Sequence, residues 1–252
     1  MILNHKIIGE GEPLIILHGL FGMLDNWQRF AKQISERYQV ILVDQRNHGK
    51  SFRSEEFNYD LLANDIIRLM DHLSIEQAHI LGHSMGGKTT MEIATKFPQR
   101  VDSFIVVDIA PKIYKGDHQF IFDSVLSIDV DAAETRKEID EHLAKSIKEM
   151  GVRLFLMKNL KRKKEGGFEW KANFPILKNC YVNIMGNSLE KTSDAKGIFI
   201  KGSLSSYILT NDESAIKKYF PNSTIAEVEG AGHWVHADKP QELFNLVADF
   251  LD

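Results

Sequence analysis

The sequence predicts an α/β fold, a mostly parallel twisted sheet flanked by helices and interrupted by an inserted, mainly helical lid. Three observations carry this. Short apolar runs rich in Val, Ile and Leu alternate with amphipathic stretches, the pattern of parallel strands covered on both faces. The alternation breaks between residues 112 and 191, where the chain turns helical and charged. A length of 252 residues suits one such domain with an insertion better than two independent domains.

Strands are expected at 14–17, 40–43, 78–81, 104–107, 198–200 and 225–228, each a buried apolar run bounded by turn residues. Helices at 26–37, 59–73, 87–97, 213–219 and 241–251 carry apolar residues at helical spacing, and Pro240 opens the last at its first turn, where a missing N–H costs nothing. The core is then 1–111 with 192–252, and the lid is 112–191. Within the lid, 132–150 reads as the clearest helix. Gly166-Gly167 suggests a hairpin turn, and the run Lys161-Arg162-Lys163-Lys164 reads as a solvated hairpin edge that discourages strand pairing, with a local anion site as the alternative.

Composition narrows the function. Hydrophobic content of 43%, charged content of 26% and a net charge of −4 describe an ordinary soluble protein without the basic excess that favours nucleic acid or an anionic membrane surface. Cys180 is the single cysteine, so an intrachain disulfide and a cysteine-based metal cluster are excluded and a buried structural thiol is expected. No apolar run reaches the span of a membrane helix, and Met1 to Lys6 lacks a charged start followed by a long apolar stretch, so a cytoplasmic location is expected.

The chemistry centres on Gly82-His83-Ser84-Met85-Gly86, a G-x-S-x-G pattern between a predicted strand and a predicted helix. That context describes a nucleophile elbow: flanking glycines let a strand reverse into a helix and leave the serine hydroxyl exposed. Serine is a poor nucleophile without a base. His233, in the Gly-rich Glu229-Gly230-Ala231-Gly232-His233-Trp234 after the last strand, is the expected base, with His236 in reserve. His18, His48 and His83 are expected to fix loop geometry. For the orienting acid, the strand end after the insertion runs into Gly202-Ser203-Leu204-Ser205-Ser206-Tyr207 without a carboxylate. Asp108, at the end of the neighbouring 104–107 strand, is therefore preferred. Asp212 is the rival, but it reads as part of a helix start, and Asp44 is expected to brace its own turn with Arg46. The N–H groups of Leu20, in His18-Gly19-Leu20-Phe21-Gly22, and of Met85 are the expected oxyanion donors.

Together with Asp44-x-Arg46-Asn47-His48-Gly49-x-Ser51, Asp108-Ile109-Ala110-Pro111 and Gly230 to Ala237, these motifs resemble the α/β-hydrolase superfamily. More closely they look like its bacterial acyl esterases related to the mitochondrial alpha/beta-hydrolase-domain proteins. The resemblance spans nearly the whole core and matches the insertion only loosely. It implies the α/β-hydrolase fold, carboxylesterase-like activity with acyl thioesters among the substrates of some members, and an acid after the family's sixth strand, a position that falls on Asp108. The expected protein is a serine esterase that uses no cofactor or metal. It would cleave a small-molecule acyl ester or thioester through an acyl-enzyme on Ser84, with His233 and Asp108 completing the triad and Leu20 and Met85 holding the oxyanion. Phe120, Phe122, Phe155 and Trp170 are candidate lid residues lining the acyl site. A carbon–carbon bond hydrolase of the same fold and a non-catalytic ligand receptor are the alternatives; oligomeric state is left open.

Overall fold

The computed structural model of the chain describes residues 1–116 and 118–252. Its main sheet holds β1 (His5–Ile8), β2 (Glu12–Leu17), β3 (Tyr38–Val43), β4 (Ala78–His83), β5 (Val101–Val107), β8 (Lys196–Gly202) and β9 (Ser223–Val228) in the order β1-β3-β2-β4-β5-β8-β9, while β6 (Leu160–Arg162) and β7 (Phe168–Trp170) form a separate hairpin. Every neighbouring pair in the main sheet is parallel except β1 with β3. All six expected strands are present. The edge strand β1 escaped the sequence reading because His5-Lys6-Ile7-Ile8 is mostly exposed and becomes a strand only by pairing with β3.

Side-chain alternation along each strand builds two core layers. On β2, Leu14 and Ile16 pack with Phe30, Ile34, Leu243 and Val247 on one face, whereas Ile15 and Leu17 pack with Ile66, Leu69 and Met91 on the other. The first layer is covered by α1 (Gln28–Ile34), the short α10 (Val235–Asp238) and α11 (Pro240–Leu251), the second by α2 (Tyr59–His72), α3 (Met85–Lys96) and α9 (Glu213–Tyr219). Asn58 caps α2 through its side chain, which accepts from the Leu61 N–H at 2.9 Å. The helix expected at 26–37 instead opens as a 3-10 turn, Leu24–Trp27, before α1. Asn26 decides this by accepting the Met23 N–H at 2.7 Å, a local bond that competes with helical geometry.

Between β5 and β8 the chain forms α4 (Gln119–Leu126), α5 (Arg136–Leu143), α6 (Met150–Met157), the β6–β7 hairpin, α7 (Phe174–Asn179) and α8 (Tyr181–Met185). The expected helix at 132–150 is corrected: α5 ends at Leu143 and α6 starts afresh at Met150. Arg153 explains the break, since its guanidinium pairs with Asp140 at 2.8 Å and donates to the Ile147 and Lys148 carbonyls at 3.0 and 2.9 Å, folding α6 back on α5. The hairpin turn falls at Gly166 and Gly167, both at positive φ (105° and 69°). A third cluster, with Phe122, Leu156 and Phe174 from the insertion and Phe21 and Met85 from the core, seats the insertion over the strand ends. Among the described residues no helix is long and apolar enough to cross a membrane.

Candidate active site

Register brings the site together: Leu17 pairs with Gly82, His83 with Val107, Val107 with Ile200, and Gly202 with Val228, so the carboxyl ends of β2, β4, β5, β8 and β9 share one edge. The chain passes to opposite sides of β2 when it forms β3 and β4, and the crevice at such a switch point is where α/β sheets place ligands.

Ser84 stands between β4 and α3 at φ 52° and ψ −116°, a strained position for a residue with a side chain. Helix α3 starts at Met85, two residues earlier than the sequence suggests. The turn needs its glycines, because a Cβ on Gly82 would overlap the Gly86 carbonyl and one on Gly86 would overlap the Leu17 carbonyl. The hydroxyl of Ser84 lies 3.0 Å from Nε2 of His233, whose Nδ1 lies 2.7 Å from Oδ2 of Asp108. With Nδ1–H donating to the carboxylate, Nε2 is left as an acceptor for the serine proton.

Asp108 is completely buried and, like Ser84, at φ 52°. Its Oδ1 accepts the Gly202 N–H at 3.1 Å, and its Oδ2 also accepts the Ser205 hydroxyl. The Tyr207 ring stacks on His233 with centroids 3.8 Å apart and planes at 15°. His83 donates Nε2–H to the His233 carbonyl at 2.8 Å, holding the His233 backbone from behind. Burial and the neighbouring imidazoles His233 and His236 hold His83 well below an ordinary histidine pKa, so it stays neutral.

The loop after β2 is pinned by two more neutral histidines. His18 donates Nδ1–H to the Gly19 carbonyl at 2.8 Å and accepts the Gln45 N–H at 3.1 Å; His48 donates to the Arg46 carbonyl at 2.9 Å and accepts the Phe21 N–H at 3.2 Å. Burial lowers them to about 4 and about 3. From the insertion, Asn159 donates to the Phe21 carbonyl at 2.7 Å. Leu20 and Met85 line the cavity beside Ser84, and among the described residues neither backbone N–H donates a hydrogen bond.

The alpha/beta hydrolase fold model matches residues 12–129. Esterase YbfF of Escherichia coli is 34% identical over 96% of this chain and 94% of its own length. The sn-1-specific diacylglycerol lipase ABHD11 of Danio rerio is also 34% identical, over 96% of this chain and 79% of its own. A solved marine microorganism esterase superposes with a TM-score of 0.96 at 38% identity, covering 99% of both chains. The chain belongs to the α/β-hydrolase family. Within it, the protein is related to these esterases and to the ABHD11 proteins.

The hydrolase carries a cavity of about 460 Å³ over Ser84 and His233, walled by core residues such as Tyr59 and Ile109 and by Phe120, Val152 and Phe155 of the insertion. Of the four aromatics expected to line it, Phe120 and Phe155 do. Phe122 is wholly buried against Phe21 and Tyr181, and Trp170 packs on Phe174; both hold the insertion together instead. Asp212 lies away from the histidine, accepting the Leu209 N–H at 2.8 Å and pairing with Lys112. His236 stacks on Trp27 at 4.5 Å, outside hydrogen-bonding reach of Ser84 in the described contacts.

Two further expectations change and one stands. Asp44 does brace its turn, but through the Asn4 side chain and the Leu24 and Lys50 N–H groups at 2.7, 2.8 and 2.9 Å, whereas Arg46 pairs with buried Asp65. Cys180 is half-buried, its thiol 3.7 Å from the Glu55 carbonyl, because α7 and α8 meet there near the surface. Lys161 and Lys163 pair with Glu169 and Asp131 at 2.7 and 2.6 Å, which supports the solvated hairpin edge. Sequence reasoning missed Ser205 and Tyr207 as partners of the site. In the sequence Ser205 marks only a strand end without a carboxylate, and no local pattern tells a serine that bonds a distant carboxylate from a loop serine.

Proposed function

We propose that this ester hydrolase works through an acyl-enzyme, with Ser84, His233 and Asp108 as triad and 112–191 as a lid over the acyl site. The observation that carries the reading is the continuous line from Asp108 through His233 to Ser84, at 2.7 and 3.0 Å, opening on a mainly apolar cavity. His233 takes the Ser84 proton as Oγ attacks the ester carbonyl, then delivers it to the leaving alcohol or thiol. Asp108 holds the imidazole tautomer and stabilises the cation. The Leu20 and Met85 N–H groups receive the developing oxyanion, with the α3 N-terminus adding its dipole. Water repeats the cycle on the acyl-enzyme, and the apolar walls accept the acyl chain.

The test is hydrolysis of a p-nitrophenyl ester series with Ser84→Ala as control. Turnover is expected to fall by several orders of magnitude in the variant, and a fluorophosphonate probe is expected to label wild type and spare the variant. Activity retained by a clean preparation of Ser84→Ala removes Ser84 from the mechanism, and a wild type inert to every ester favours the receptor alternative.

A further inference from the structure

Lys88 has no carboxylate partner in the described contacts, although it is 5% exposed and carries an ammonium group. It lies one turn into α3, four residues beyond Ser84. Its Nζ donates to the carbonyl of Lys112 at 2.9 Å, to that of Met185 at 3.3 Å, and to that of Gly186. Three N–H groups thus meet three carbonyls, the full donor capacity of an ammonium. Lys112 opens the insertion, while Met185 and Gly186 are the last residue and C-cap of α8, where a cation is favoured by the free carbonyls of a helix end. The two roots also touch directly, through the Tyr114 N–H and the Met185 carbonyl at 2.9 Å. Tyr59 adds a bond to the Ile184 carbonyl at 2.6 Å.

The same residues form one wall of the cavity: Lys88, Tyr59, Tyr114, Ile184 and Met185 all line it. We propose that Lys88 is a positioning residue that ties both roots of the insertion to the helix carrying Ser84, and that it thereby sets the acyl-chain length this wall accepts. The inference rests on the esterase reading above. A neutral side chain of the same length cannot replace three charge-assisted bonds, so without them the roots separate from α3 and the wall loses its contacts with a long acyl chain while a two-carbon acyl group never reaches it. Lys88 lies between Lys112, itself paired with Asp212, and the rings of Tyr59 and Tyr114 at 5.7 and 4.9 Å; Glu92 on α3 is engaged by Lys96 and Ser188. Burial and Lys112 lower the Lys88 pKa to about 7, so the clamp weakens as pH rises through neutrality.

The experiment compares wild type, Lys88→Met and Lys88→Arg on p-nitrophenyl acetate and octanoate, with active sites counted by fluorophosphonate titration. Lys88→Met is expected to lower the octanoate-to-acetate ratio of kcat/KM by about tenfold, the discrimination of one or two methylenes, chiefly through KM for octanoate. Amide exchange is expected to speed up at 112–116 and 182–187 and not in β4 or β5. Lys88→Arg, which keeps the charge and donors, is expected to recover part of the ratio. A second measurement uses wild type alone: the ratio is expected to fall between pH 6 and 8.5, since the chemical step is common to both esters and cancels in the ratio. Equal losses on both esters, or a ratio unchanged in Lys88→Met, overturns the proposal; if that variant does not fold, a pH-independent wild-type ratio overturns it. Failure of the esterase reading is distinct, because wild type would then hydrolyse neither ester.

Discussion

Ser205 donates its hydroxyl to Oδ2 of Asp108, the same oxygen that lies 2.7 Å from Nδ1 of His233. The strand end that lacks a carboxylate therefore supplies a donor to the carboxylate of the next strand. A hydrogen bond to a charged group is typically worth about 1.5–3 kcal/mol, so Ser205→Ala is expected to lower kcat/KM for p-nitrophenyl butyrate by about tenfold. Ser205→Asp is expected to do worse, since it sets a second negative charge against Asp108. Wild-type rates in Ser205→Ala would show that the bond does not matter to turnover.

The acid itself is tested by two asparagine variants. Asp108→Asn keeps volume but favours the wrong imidazole tautomer, and kcat is expected to drop by up to about four orders of magnitude. Asp212→Asn weakens the pair with Lys112 and a helix-start bond. It is expected to cost about 1 kcal/mol of stability, seen as a lower urea midpoint, with kcat near wild type. The reverse pattern would move the acid to Asp212.

Phe155 and Phe122 sit in one insertion but do different work. Phe155 lines the cavity and contacts Trp234 at 5.4 Å between centroids, so Phe155→Ala is expected to shift preference among acyl lengths. Phe122 is fully buried, and Phe122→Ala is expected to lose about 3–5 kcal/mol of stability. A chain-length series and a denaturation curve on each variant separate the two. Parallel losses of kcat/KM across the series in Phe155→Ala would count against a selectivity role.

Stability is expected to fall in mild acid. His18, His48 and His236 are held by burial at about 4, 3 and 4, against 6.5 for a free imidazole. Unfolding exposes them, and below about pH 6.5 the unfolded chain binds protons that the folded chain refuses, so stability rises with pH across this window. It is fully present above about 6.5 and is lost as pH falls toward 4. Urea midpoints at pH 7.5, 6 and 5 are expected to decline steadily, with uptake of about two or more protons on unfolding at pH 5. A flat profile would mean that these imidazoles are not neutral in the folded chain.

The strands and helices of the core were legible because burial on both sheet faces writes continuous apolar runs such as Leu14 to Leu17, and because Gly82, Ser84 and Gly86 obey a local steric rule. The same locality placed Ser84, His233 and Asp108 at loop positions beyond strand ends. What only the tertiary structure decided depends on groups far apart in sequence. Arg153 ends a helix by reaching Asp140 and the Ile147 carbonyl, and Ser205 meets Asp108 because β5 and β8 are neighbours. Phe120 faces the cavity while Phe122 does not, since the packing of α4 on its neighbours fixes which side is inward. Lys88, two residues beyond the Gly82 to Gly86 pattern, is held by carbonyls 24 and 98 residues away. A backbone carbonyl carries no residue identity, so the partners of such a lysine leave no trace in the sequence and appear only when the chain is folded.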